Sequence, residues 1–358
     1  MKRLDVVRAA LGVGLLVAGV GTANAQASQV PDSARAVAAK NAEPQPGLAE
    51  MRKMIDRGRA DDALKQLDAL AAQQPLTAGL QTLRGVALYT QKRFAEADAA
   101  FADALKQNQG DEEATQMRGL TLFRLGRPAE AIPLLEAAHN WTPETKTDPS
   151  YVLALCYIDT RRYDDARRAF AAQYGFPPAS ASAYLLAARM LLRREYVPVA
   201  KEFGQKALAL DPSLPLAHAL LGEIALAAEH VDEAIAEFEK ERARNPLEAS
   251  SYDRLGDAYT RAGDYVRAQQ ALQQAVLLEP NATGPYILLG KVLLKRQDAV
   301  NATMYLERAE KMDPGNAMTH NLLGQAYRML GRNEEASRQN EQAQRLQSAN
   351  QPRLENVR

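Results

Sequence analysis

The chain has 358 residues, and 44 Lys plus Arg are balanced by 44 Asp plus Glu, for a formal net charge of zero. That balance excludes a general nucleic-acid binder, which needs a basic footprint, while leaving room for a local basic patch. At 25% charged and 46% hydrophobic residues, the composition is that of a folded chain and not of a disordered one, which combines low hydrophobicity with high net charge.

The N-terminus places Lys2, Arg3 and Arg8 ahead of an uncharged apolar run from Ala9 to Gly21. The run is shorter than the roughly 20 apolar residues a membrane span needs. Ala23-Asn24-Ala25 follows, a small-x-small pattern that suits a signal peptidase pocket. Residues 1–25 are therefore expected to be a secretory signal cleaved after Ala25, with an uncleaved anchor as the alternative. No cysteine stands at the end of the apolar run, which argues against lipoprotein processing. The expected location is periplasmic, with no stable membrane span after cleavage. The chain has a single cysteine, Cys156, so no disulfide framework forms within a monomer and the fold must hold by packing. Residues 26–43 are small, polar and poorly patterned, and read as a flexible leader.

From residue 44 the chain repeats itself. Alanine recurs at Ala63, Ala97, Ala131, Ala166, Ala200, Ala234, Ala268, Ala302 and Ala336, every 34 residues with one step of 35. Twelve residues before each stands Met51, Gly85, Gly119, Ala154, Ala188, Gly222, Gly256, Gly290 or Gly324. A glycine in a helix interior costs about 1 kcal/mol relative to alanine, so its recurrence implies recovery in packing. The expectation is two helices in close approach, the small residue of one facing the alanine of the other. Prolines stop the second helices: Pro75, Pro143, Pro178, Pro212, Pro246, Pro280 and Pro314.

The segment YDRLGDAYTRAGDYVRAQQALQQAVLLEP carries Tyr252, Leu255, Gly256, Tyr259, Ala268, Leu272, Ala275 and Pro280, and in these positions it resembles the tetratricopeptide repeat. The resemblance covers most of the chain and implies an all-α, right-handed α-solenoid of nine helix-turn-helix repeats. They fall near residues 44–77, 78–111, 112–146, 147–180, 181–214, 215–248, 249–282, 283–316 and 317–350. The array is placed at 44–348, with a frayed tail over 349–358. Degraded signature positions in the first repeat, and Asn340 with a largely polar second helix in the last, suit the ends of one array. For function the resemblance implies little, because the module serves many unrelated partners.

No catalytic constellation stands out. His218 and His320 occupy the position held by Tyr252 and Tyr286 in other repeats and read as packing residues, and no histidine has a second ligand at metal spacing. GPYILLGKV superficially resembles a phosphate loop, but five residues separate its glycines and Val292 stands where Ser or Thr must hold magnesium. Cys156 aligns with Ala258 and Ala326 and reads as a structural thiol. Trp141 sits in the longest connection and reads as cover for an enlarged joint. No catalysis, cofactor or metal is expected.

The family resemblance implies that first helices line a binding groove. Its exposed positions would be Val86, Tyr89, Leu120, Phe123, Tyr151, Leu155 and Ile158, an apolar stripe. Further along they would be Arg189, Arg193, Glu223, Asp253, Asp257, Arg261, Lys291, Lys295, Asn321, Gln325 and Arg328, with Arg254 toward the neighbouring repeat's edge. Packing between repeats, and a solvated face of intrahelical ion pairs, are the bland alternatives. Only Lys291 and Asn321 echo the Lys-Asn-Asn-Lys-Arg carboxylate clamp of some family members, so chaperone-tail binding is not expected. The expected function is a protein- or peptide-binding scaffold or adaptor of the bacterial cell envelope. The alternative is a regulatory or assembly subunit of an envelope enzyme, secretion or polysaccharide complex.

Overall fold

A computed structural model describes residues 46–73, 77–139 and 149–350. The signal segment, the leader, Pro75, Trp141, Pro143 and the end of the tail lie outside the described residues. The described residues form eighteen α-helices and no strand.

The helices come in hairpins: α1 (Pro46–Asp56) with α2 (Ala60–Gln73), α3 (Leu80–Thr90) with α4 (Phe94–Gln107), α5 (Glu112–Arg124) with α6 (Pro128–His139), and α7 (Ser150–Asp159) with α8 (Tyr163–Gln173). In chain order α9 (Ala181–Arg193) and α10 (Val197–Leu210) follow, then α11 (Ala217–Ala227) with α12 (Val231–Arg244), and α13 (Ala249–Arg261) with α14 (Tyr265–Leu278). The last hairpins are α15 (Thr283–Lys295) with α16 (Ala299–Met312), and α17 (Ala317–Met329) with α18 (Asn333–Asn350). This is an all-α repeat solenoid. Contacts divide the described residues into two compact units, one up to Ala187 and one from Ala188. In the first unit α1, α3, α5 and α7 pack on their own partners and also on one another in sequence order. In the second, α13, α15 and α17 do the same.

Each hairpin turns on one residue with a left-handed backbone. The nine are Gly58, Lys92, Gly126, Arg161, Glu195, Glu229, Gly263, Gln297 and Gly331, with φ between 60° and 79°. The next residue's N–H then reaches back to the carbonyl five positions earlier, as in Asp264 to Tyr259 (2.9 Å) and Asp298 to Leu293 (2.9 Å). This bond closes the first helix and aims the chain into the second. Five of the nine turns use a side-chain-bearing residue where glycine would be unstrained. The second helix then starts with local help. Asp264 and Asp298 accept from the N–H three residues on, and Arg93, Arg127, Arg162 and Arg332 pair with an acidic residue in the first turn.

The recurring glycine faces a different partner from the one its spacing suggests. A Cβ on Gly256 would stand 2.4 Å from Leu272 Cγ, and one on Gly290 would stand 2.4 Å from Leu306 Cγ. On Gly222 and Gly85 it would run into the rings of Phe238 and Phe101. The glycine thus receives the large residue four places after the repeating alanine. The alanine itself is fully buried one turn away. At these two positions the fifth repeat carries Ala188 and Gly204, the small residue having moved to the other helix.

His218 and His320 do pack as expected. His320 Nε2 lies 2.9 Å from the carbonyl of Pro314, the bond that the Tyr252 and Tyr286 hydroxyls donate to Pro246 (3.0 Å) and Pro280 (3.1 Å). His218 Nδ1 meets Glu237 at 2.6 Å, and Cys156 is buried. Buried Glu241 does what no motif announced: it accepts from the N–H groups of Leu216 (3.2 Å) and Ala219 (3.3 Å), capping α11 from the neighbouring helix.

Gly256→Ala tests the close approach. Alanine is the better helix former by about 1 kcal/mol, yet overpacking against Leu272 is expected to give a net loss of roughly 1–3 kcal/mol. Urea unfolding followed by circular dichroism measures it, and a stabilised variant would show that Leu272 yields without strain.

Candidate functional site

The exposed apolar stripe expected in the first unit is not there. Val86, Leu120 and Leu155 are each only 8% exposed, and Ile158 is fully buried. The reason is that α3, α5 and α7 pack side by side, so these residues fill the seam between first helices. Tyr89, Phe123 and Tyr151 are half-buried; Tyr89 sits edge-on to Phe94 and Tyr151 to Phe170.

At the same register position the second unit carries Arg189, Glu223, Asp257, Lys291 and Gln325 on successive first helices. One carboxylate joins two of those helices to a third: Glu223 on α11 accepts from Arg189 Nη1 on α9 and, at 2.9 Å, from Arg254 Nε on α13. Arg254 therefore points back to the preceding repeat. Its own register position is otherwise apolar, holding Ala49, Leu83, Met117, Val152, Leu186, Leu220, Leu288 and Leu322 in the other repeats. Of these, Leu83, Leu186, Leu220 and Leu322 are buried.

Glu223 does not saturate this cluster. Arg189 Nε, Arg254 Nη1 and Asp253 Oδ1 are buried with no hydrogen-bond partner among the described residues. Such orphaned groups are rare in folded proteins and disfavour the folded state. Burial holds the Arg189 guanidinium below its ordinary value, opposed by Glu223 and reinforced by Arg254 and Arg193. Burial likewise pushes the Asp253 carboxyl up, against the pull of Arg254 and with the repulsion of Asp257 and Glu279.

The remaining candidates line up along the same strip. Arg261 and Asp257 form an intrahelical pair at 3.0 Å. Arg193, Lys295 and Arg328 are exposed, while Lys291 and Asn321 are half-buried. None of these four cations has an ion-pair partner among the described residues. The structure thus brings Arg189, Glu223 and Arg254 into one network, with Asp253 beside Arg254. Sequence reasoning placed Arg254 at an edge because a lone substitution in an apolar column does not reveal which neighbour it reaches. Among the described residues no group of three His, Cys, Asp or Glu side chains is arranged to hold a metal ion. No helix among them is long and apolar enough to cross a membrane.

Asp253 yields a pH test. Its folded value lies above the ordinary 3.8, so the folded chain binds more protons than the unfolded one between those values. Stability from this residue therefore falls as pH rises through that window. Asp253→Asn is expected to remove the fall and to raise Tm near neutral pH by roughly 2–4 °C. Thermal unfolding across the acidic to neutral range checks it; an unchanged pH slope would place the burden on another group.

Comparison with known proteins follows this geometry. The profile described as "Tetratricopeptide repeat" matches residues 55–112 and 151–215. "Cilia and flagella-associated protein 70 middle TPR-like domain" matches 232–347, and "Anaphase-promoting complex, cyclosome, subunit 3" matches 90–173. No curated protein matches the sequence significantly. Among solved structures, YrrB, described as a TPR protein with an unusual peptide-binding site, is 24% identical over 52% of this chain and 95% of its own, with a TM-score of 0.44. MamA from Desulfovibrio magneticus RS-1 is 18% identical over 48% of this chain and 97% of its own, with a TM-score of 0.45. The anaphase-promoting complex hetero-tetramer Cut9-Hcn1 is similar at 19% identity over 81% of this chain and 57% of its own, with a TM-score of 0.42. Three repeat-type profiles along the chain, and a 34-residue register in which every hairpin turns and closes the same way, make this chain a member of the tetratricopeptide-repeat family.

Proposed function

We propose that the chain is a non-catalytic, protein- or peptide-binding adaptor of the bacterial cell envelope, exported by its N-terminal signal, with the first-helix strip of residues 188–358 as its contact surface. One observation carries the reading: Asp253 and Arg254 interrupt positions that neighbouring repeats fill mainly with apolar side chains, and the cluster they build leaves buried polar groups unsatisfied. Scaffold packing alone favours the apolar residues. A group retained against local stability is expected where function requires it. The Lys2, Arg3 and Arg8 start, the short apolar run and the Ala23-Asn24-Ala25 site support export.

The experiment is site-specific photocrosslinking in cells that export the full chain. A photoreactive residue at Asn321, on the strip, is expected to trap a defined protein, while one at Gln273, exposed on a second helix, traps none. The processed chain is expected to begin at Gln26 and to fractionate with the periplasm. Equal trapping at both positions, or none at Asn321, overturns the assigned surface.

Arg254→Leu separates binding from folding. It restores the residue type of the neighbouring repeats, removes a buried unpaired guanidinium nitrogen and leaves Glu223 with Arg189 as its partner. Tm is expected to stay level or rise while trapping at Asn321 falls severalfold.

A further inference from the structure

The strip in the last repeats has a chemistry of its own. Asp257 neutralises Arg261 within α13, and Glu223 is held between Arg189 and Arg254. Beyond them Lys291 and Lys295 stand one turn apart on α15, and Arg328 extends from α17, which packs against α15. No acidic side chain among the described residues pairs with these three. Three unpaired cations on two adjacent helices form a local positive field in a chain of zero net charge.

Lys295 also borders a second feature. An open crevice of about 580 Å³ lies between the α13–α14 turn and the end of α15, with Gly263, Tyr265 and Val266 on one side and Lys295 and Arg296 on the other. Val266 is 54% exposed, an apolar side chain presented to the crevice, and Tyr265 beside it is half-buried. Asp264 is the acidic residue of the lining. Its carboxylate caps α14 and pairs with Arg267 at 2.6 Å, so it does not neutralise Lys295. Arg296 is steadied by Gln269.

We propose that this surface recognises an acidic peptide segment bearing an apolar side chain. Its carboxylates lie on Lys291, Lys295 and Arg328, and the apolar side chain enters the crevice beside Tyr265 and Val266. The charge selects the acidic run, and the crevice at one end of the cationic row sets its direction. The inference rests on the adaptor reading and specifies the partner's chemistry.

The test is fluorescence anisotropy with the signal-free full chain and labelled hexapeptides: five glutamates closing in phenylalanine, the same closing in serine, and five lysines closing in phenylalanine. The glutamate–phenylalanine peptide is expected to bind at least about tenfold tighter than the lysine peptide, and to weaken as salt rises. The serine version loses about threefold or more. Combined Lys291→Ala, Lys295→Ala and Arg328→Ala lowers affinity roughly tenfold with helicity unchanged, and Val266→Asp abolishes the preference for phenylalanine over serine. Equal binding of glutamate and lysine peptides, full affinity in the triple variant, or a phenylalanine preference that survives Val266→Asp overturns the proposal. Equally tight binding of a single-stranded thymidine decamer also overturns it, as the mark of a general polyanion surface. If photocrosslinking at Asn321 traps a protein that the glutamate–phenylalanine peptide does not displace, the acidic class falls and the adaptor reading stands. If nothing is trapped, the assigned surface falls as well.

Discussion

The rest of the architecture depends on how closely the two helices of a hairpin approach. A left-handed residue at the turn folds the chain back, and a glycine in the first helix admits a leucine or phenylalanine of the second. With a Cβ at Gly256 or Gly290, the facing Leu272 or Leu306 would be met at 2.4 Å. The hairpin then presents two faces at a fixed spacing, and each next hairpin can pack on the last. The first helices are brought side by side as a consequence. Residues that look outward when one helix is considered alone become seam residues once its neighbour is in place.

That consequence separates the two halves of the chain chemically. In the first unit the seam between first helices is apolar, and Val86, Leu120 and Leu155 fill it. In the second unit the same register position turns ionic at Arg189 and Glu223, and Arg254 enters a column that is leucine in repeats on either side. An ionic cluster of this kind is weak evidence for stability, since desolvation offsets most of the Coulomb attraction. Its unsatisfied atoms make the balance worse. The scaffold rests instead on the glycine–leucine and glycine–phenylalanine contacts.

Much of the fold was legible because a repeat states its rule nine times. The period, the alanine column and the proline stops pointed to helix hairpins, and the packing roles of His218, His320 and Cys156 followed from alignment with Tyr252, Ala258 and Ala326. Two regularities in the letters take their meaning only from the folded chain. One is the turn position, where glycine alternates with Lys92, Arg161, Glu195, Glu229 and Gln297, a mixture whose shared left-handed backbone composition hides. The other is the residue four places after the alanine, Leu272 in the signature segment, whose size is plain in the letters and whose place against the glycine only the packing reveals.

The sequence by itself determined the repeat, its hairpin unit and its period, because these rest on local spacing along one helix and its turn. It also determined which residues are charged, and that charge gathers in the later first helices. The tertiary structure decided which of those residues are reachable and which are partners. Burial depends on the neighbouring repeat, so Val86 and Leu155 moved from surface to seam. Pairing depends on side-chain reach across helices 31 and 34 residues apart, so Glu223 became the link between Arg189 and Arg254. No pattern within a single helix contains that information.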